Sequence, residues 1–141
     1  MHVLFIEDNE QDAFLVREAA KPIANQVTIE VVRDGTAAWR YLRHVPPFDD
    51  SPTPGLILLD INLPGRNGLD LLADIKSDAA FRDLPVIMFS TSDLEDDIRK
   101  SFARGASAYL VKPGSFREFQ QLLSDTFRYW SDVSRATSGD A

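Results

Sequence analysis

Short apolar runs alternate along the chain with longer stretches of mixed polarity. The runs are Val3–Ile6, Val27–Val32, Leu56–Leu59, Val86–Phe89 and Ala108–Val111, all rich in branched or aromatic residues. Three of them are apolar without a break, the pattern of strands covered on both faces by helices. The stretches between them carry helix punctuation. Asn9 can cap a helix over Gln11–Lys21, which Pro22 ends. Asp34 and Gly35 lead into a second helix near Thr36–Arg43. Asn67, with Asp70 three residues on, opens a third through Leu69, Leu72, Ala73 and Ile75. Ser92 with Glu95, and Ser115 with Glu118, read as capping boxes for a fourth and a fifth. In the fourth, Asp93, Glu95, Asp96 and Asp97 precede Arg99, Lys100 and Arg104, the order a helix dipole favours, and Gly105 stops it.

The order is strand then helix, five times over. Such alternation with short loops predicts a parallel sheet with right-handed crossovers and helices on both faces, a doubly wound α/β domain. Two segments fall outside the pattern. His44–Gly55 holds four prolines ahead of the third strand and is expected at the amino ends of the strands. The polar stretch Ser131–Ala141 reads as a frayed tail, which leaves a domain over residues 1–130.

Composition narrows the chemistry. A chain of 141 residues with 44% hydrophobic content can fill one ordinary core unaided by disulfides or structural metal. Fifteen Lys and Arg against 22 Asp and Glu leave a net charge of −7, which argues against nonspecific nucleic-acid or anionic-lipid binding. With no cysteine, thiol catalysis, zinc ribbons and iron–sulfur clusters are excluded, and two histidines give no basis for a multi-histidine metal centre. The amino-terminal apolar run is too short for an export signal, and no run approaches the roughly 20 apolar residues of a membrane span. A cytoplasmic, soluble protein is the expectation.

Ligands of an open parallel sheet bind at the carboxyl ends of its strands. Strand one ends in Glu7–Asp8, strand three in Asp60, strand four in Ser90 and strand five in Lys112–Pro113. Three carboxylates, a hydroxyl and a lysine are thus expected at one rim. Crowded carboxylates repel unless a cation compensates, and a hard divalent ion with oxygen ligands does so. Lys112 adds a second positive charge suited to a phosphate oxygen. Asp60 follows four apolar residues, so its backbone is fixed while its side chain reaches the rim. It is the best nucleophile, able to form an acyl phosphate, and the Pro64–Gly65 turn and Gly68 shape the loop after it.

With these residues in place the chain resembles a response-regulator receiver domain of two-component signalling. The resemblance rests on Glu7–Asp8, on Asp60 in DINLPGRNG, on Ser90 in PVIMFSTS and on Lys112 in YLVKP, and it covers nearly the whole chain. It implies a flavodoxin-like (βα)5 fold with strand order 2-1-3-4-5. It implies Mg2+ held by Glu7, Asp8, Asp60 and the backbone carbonyl of Asn62, and phosphorylation of Asp60 by a histidine kinase. It further implies that Ser90 turns toward the phosphoryl group and that Tyr109 swings inward behind it, changing the surface of the fourth helix, last strand and last helix. The chain resembles stand-alone receivers, and its proline-bearing insertion is similar to that of small regulators paired with bacterial phytochromes. Thr91, where the family prefers Ala or Gly, narrows access to the phosphoryl group, and Gly114 loosens the loop into the last helix.

A phosphoacceptor switch acting through protein contacts is therefore the leading reading, and it is not an enzyme. The alternatives are a Mg-dependent phosphohydrolase with an aspartyl nucleophile, or a receiver-fold scaffold that works without phosphorylation. The hydrolase would need a second aspartate where Asn62 stands, since an amide cannot cycle a proton. In the last helix Phe116, Phe119, Leu122, Leu123 and Phe127 recur at core spacing, and Tyr129, Trp130 and Val133 extend the apolar character beyond them. That surplus predicts a homodimer.

Overall fold

The computed structural model describes the backbone of residues 1–139 and the side chains of residues 1–133. Its strands are β1 (His2–Ile6), β2 (Thr28–Val32), β3 (Leu56–Leu59), β4 (Asn62–Leu63), β5 (Arg66–Asn67), β6 (Val86–Ser90) and β7 (Ala108–Val111). Its helices are α1 (Glu10–Ala20), α2 (Gly35–Leu42), α3 (Gly68–Ser77), α4 (Glu95–Ala103) and α5 (Phe116–Gly139). Five strands form one parallel sheet in the order β2-β1-β3-β6-β7. Without the short β4–β5 ribbon this is the expected 2-1-3-4-5. Among the described residues no helix is long and apolar enough to cross a membrane.

The uninterrupted runs form strands because alternate side chains feed two separate cores. Leu4, Ile6, Ile57, Leu59, Val86 and Met88 face one side and pack with residues of α2 and α3. Val3, Phe5, Leu56, Leu58, Ile87 and Phe89 face the other and pack with α1 and α5. Every one of these twelve is fully buried, which fixes the register of the three central strands and the backbone on which Glu7, Asp60 and Ser90 follow.

The helix starts agree with four of the expected caps, one being Ser115, which accepts the Glu118 amide hydrogen (3.2 Å). Asn9 accepts the Asp12 amide hydrogen (3.0 Å), Asp34 that of Ala37 (2.7 Å) and Asn67 that of Leu69 (2.7 Å). The chain continues past Ala20 as a 3-10 turn containing Pro22. Gly55 donates its backbone N–H to the His2 carbonyl (2.8 Å), so the proline-rich segment lies at the amino ends of the strands, as its connectivity requires.

Three expectations are corrected. The Ser92–Glu95 capping box does not form. The helix starts too late for it: α4 begins at Glu95 with Leu94 as an N-cap that offers no side-chain acceptor, and the Ser92 hydroxyl accepts the Leu94 N–H (3.4 Å) while donating to Asp97 (2.6 Å). Phe116 does not face the core but is 50% exposed, because it is the first residue of α5 and projects beyond the sheet. The stretch expected to fray from Ser131 is helical through Gly139, a continuation of the amphipathic α5. Residues 140 and 141 of that stretch lie outside the described residues.

Candidate functional site

The carboxyl ends of β1, β3 and β6 open on one rim, and the chain just after β7 completes it. The Lys112 backbone N–H donates to the Ser90 carbonyl (2.8 Å), so the lysine is clamped beside β6 before its side chain reaches anything. Its stem runs into the rim, with the ammonium 5.5 Å from the Phe89 ring centroid and the side chain 5% exposed. There Nζ donates to Glu7 Oε2 (2.6 Å), Asp12 Oδ2 (2.8 Å) and Asp60 Oδ2 (3.1 Å). One cation thus ties the ends of β1 and β3 to the first turn of α1.

Burial makes this cluster electrostatically loaded. Glu7 is 2% exposed, and loss of water pushes its pKa up to about 7, against the opposing hydrogen bonds from Lys112 and from the Asn9 backbone N–H. Burial alone would lower the Lys112 pKa, but its bonds to Asp12 and Glu7 and the charge of Asp60 overturn that, and the ammonium is held well above its ordinary range. Asp60 is 5% exposed. One of its oxygens accepts the Asn62 backbone N–H (3.3 Å) and the other the Lys112 ammonium.

The loop after Asp60 is sequence-determined in detail. β4 and β5 form a two-residue ribbon closed by Pro64–Gly65, with Gly65 at φ +78°, the conformation a type II turn demands at its third position. Gly68 then passes so close to the Asp60 backbone that a Cβ there would lie 2.0 Å from the Asp60 carbonyl oxygen. The sequence marked these residues as shaping the loop, but not the ribbon itself.

Ser90 is fully buried at the end of β6 and accepts the Ser92 backbone N–H (3.2 Å). Tyr109 is half-buried, and its hydroxyl donates to the Ser92 carbonyl (2.7 Å), so its ring already lies against the loop that Ser90 begins. Asp8 stands apart from the cluster. It is exposed and lines an adjoining cleft with Glu7, Glu10, Arg17 and Arg33, where Arg33 pairs with Glu10. The rim therefore gathers Glu7, Asp60, Ser90, Lys112 and Asn62, while Asp8 flanks it.

Asp12 was missed by sequence reasoning. The available signal was an acid in the first turn of a helix whose N-terminus abuts the rim, but only the fold shows that Lys112 meets it. Among the described residues no three acidic or histidine side chains stand ready as a cation cluster, because Lys112 lies between the carboxylates. The donor set nevertheless suits a hard divalent ion. It consists of carboxylate oxygens, and Glu7 is raised because one ammonium does not offset the burial of its charge.

Comparisons with known proteins bear on the family and the fold. Residues 3–124 match the family model of the response regulator receiver domain. The response regulator Rcp1 of Synechocystis sp. is 33% identical over 131 residues, covering 93% of this chain and 89% of that protein. The phosphorylated cyanobacterial phytochrome response regulator RcpA superposes with a TM-score of 0.86 at 35% identity, covering 92% of each chain. The Mn(2+)-bound form of Rcp1 gives a TM-score of 0.84 at 32% identity, covering 92% of this chain and 93% of that one.

Proposed function

This chain belongs to the response regulator receiver domain family, and on that premise we propose that it is a phosphoacceptor switch, charged on Asp60 by a histidine kinase with Mg2+ bound. The observation that carries the proposal is the Lys112 ammonium shared by Asp60, Glu7 and Asp12 in a buried rim. An Asp60 carboxylate oxygen attacks the phosphorus of a phosphohistidine. The new O–P bond forms as the P–N bond breaks, and the imidazole nitrogen keeps the electron pair. Water later cleaves the acyl phosphate to the carboxylate and inorganic phosphate. Such transfer asks the protein mainly for alignment and charge neutralisation, which Lys112 supplies from one side.

Glu7, Asp8, Asp60 and the Asn62 carbonyl would hold Mg2+, which supplies charge neutralisation for the transferring group. Ser90 turns to donate its hydroxyl hydrogen to a phosphoryl oxygen, and the turn carries its Oγ away from the Ser92 N–H and releases the loop that Tyr109 grips through the Ser92 carbonyl. Asn62 cannot act as a general acid or base, which supports one transient phosphoryl group per chain rather than turnover of external phosphomonoesters. The resemblance to the cyanobacterial phytochrome response regulator RcpA supports a phytochrome-type kinase as partner. The exposed Tyr129 on α5 supports a homodimer.

Incubation with acetyl phosphate and Mg2+ followed by intact-protein mass tests the reading. One added phosphoryl group, lost in Asp60→Asn, is expected; full labelling of that variant, or many turnovers of a generic phosphomonoester, overturns it.

A further inference from the structure

An ammonium has three hydrogens to donate, and Lys112 uses all three on carboxylates. Two of its partners have other work under the reading above: Asp60 as nucleophile, Glu7 in the cation set. The third, Asp12, has none. Its backbone is fixed by the Asn9 cap (3.0 Å) in the first turn of α1, and its side chain is 19% exposed, facing inward to Nζ at 2.8 Å. That contact is shorter than the 3.1 Å from Nζ to Asp60. One of the three ammonium hydrogens is therefore held by an acid that neither attacks phosphorus nor belongs to the cation set.

We propose that Asp12 is a positioning residue that draws Lys112 away from Asp60, so that it favours the divalent cation and restrains the phosphorylated state. This rests on Asp60 being the phosphoacceptor. Charge gives the direction. Glu7, Asp12 and Asp60 outnumber the one ammonium, so the cluster is net negative and attracts a cation. An incoming phosphoryl group needs Lys112 and adds negative charge beside Asp12. Neutralising Asp12 without changing its shape then has opposite effects on the two ligands. It removes attraction for the cation, and it removes repulsion of the phosphoryl group while loosening the hold on Lys112, since a neutral amide oxygen accepts from the ammonium more weakly than a carboxylate.

The test is Asp12→Asn, with Asp12→Glu as the conservative control. Mg2+ affinity is read by calorimetry, and affinity for beryllium fluoride at saturating Mg2+ stands in for the phosphoryl group. For Asp12→Asn we expect Mg2+ binding weaker and beryllium fluoride binding tighter, each by roughly three- to tenfold, the scale of one partly screened charge at close range. Asp12→Glu should return both toward wild type. A merely structural role would weaken both together, and that result, or no change in either, overturns the inference. Acetyl-phosphate labelling of the wild-type chain separates the two levels. Failure of the wild type to label Asp60 sinks the functional reading, whereas normal labelling with the wrong pair of signs sinks only the role of Asp12.

Discussion

At the scale of single residues, two positions other than the rim's charged side chains make sharp predictions. Gly68 touches the Asp60 carbonyl so closely that any side chain must displace the loop that carries the site. Gly68→Ala should cost on the order of 3 kcal/mol in denaturant unfolding and slow acetyl-phosphate labelling, because the obstacle is backbone rather than a flexible side chain. His2 works at the other end of the sheet. Its ring nitrogens meet Thr28 Oγ1 (2.7 Å) and the buried Tyr41 hydroxyl. Burial lowers its pKa from 6.5, with the amino terminus acting the same way and Glu30 opposing. The unfolded chain then takes up the proton more readily than the folded one. Stability should therefore fall as the pH drops through about 6.5 and level off below the depressed folded value. Glu7, raised from 4.5 to about 7, works the other way, since its stabilising proton is lost as the pH rises through that window. The difference between wild type and His2→Gln isolates the histidine: thermal unfolding from pH 5 to 8 should show the two melting points converge toward low pH.

At the scale of elements, the sheet and its connections divide the molecule into two poles. The proline-rich segment is tied to the amino pole by the Gly55–His2 bond and by Phe48, whose ring packs on Tyr41 at 5.3 Å. Deleting residues 49–53 should leave acetyl-phosphate labelling unchanged and cost about 1 kcal/mol of stability; a severalfold change in labelling rate would mean that the segment reaches the rim. The strands were legible in the sequence because buried parallel strands need unbroken apolar runs, and runs such as Leu56–Leu59 have no other comfortable place. The rim was legible because a parallel fold forces every strand to end on the same side. Asp12 was not, because its partner lies 100 residues away and nothing in a first-turn acid announces a distant lysine. The Ser92 cap misled for a different reason: α4 begins later, at Glu95, and a boundary shift of that kind leaves no periodic trace.

At the scale of the whole molecule, α5 is longer than the sheet it covers. Phe119, Leu123 and Phe127 are buried against the α1 side, while Tyr129 is 61% exposed beside Trp130, whose ring it meets edge-on at 5.3 Å. Trp130 itself packs partly against the core, so it is the poorer probe. If α5 joins two copies, Tyr129→Ala should raise the dimer dissociation constant by about tenfold with little loss of fold, and truncation after Phe127 should do more. Sedimentation equilibrium with and without acetyl phosphate measures this, and a wild-type monomer at all concentrations up to tens of micromolar would rule the dimer out.

The lysine that unites the rim also sets a clock on the birth of the site. Glu7 and Lys112 are 105 residues apart, and Asp60 lies between them, so the counter-charge is the last piece of the cluster to be synthesised and among the most distant to be recruited. Until β7 docks beside β6, Glu7, Asp12 and Asp60 have no ammonium to share and repel one another. A chain in which β7 has not docked therefore lacks the charge balance of the finished rim. In a refolding experiment, competence to accept phosphate should lag behind the recovery of helical signal, so that signalling is denied to every chain that has not finished folding.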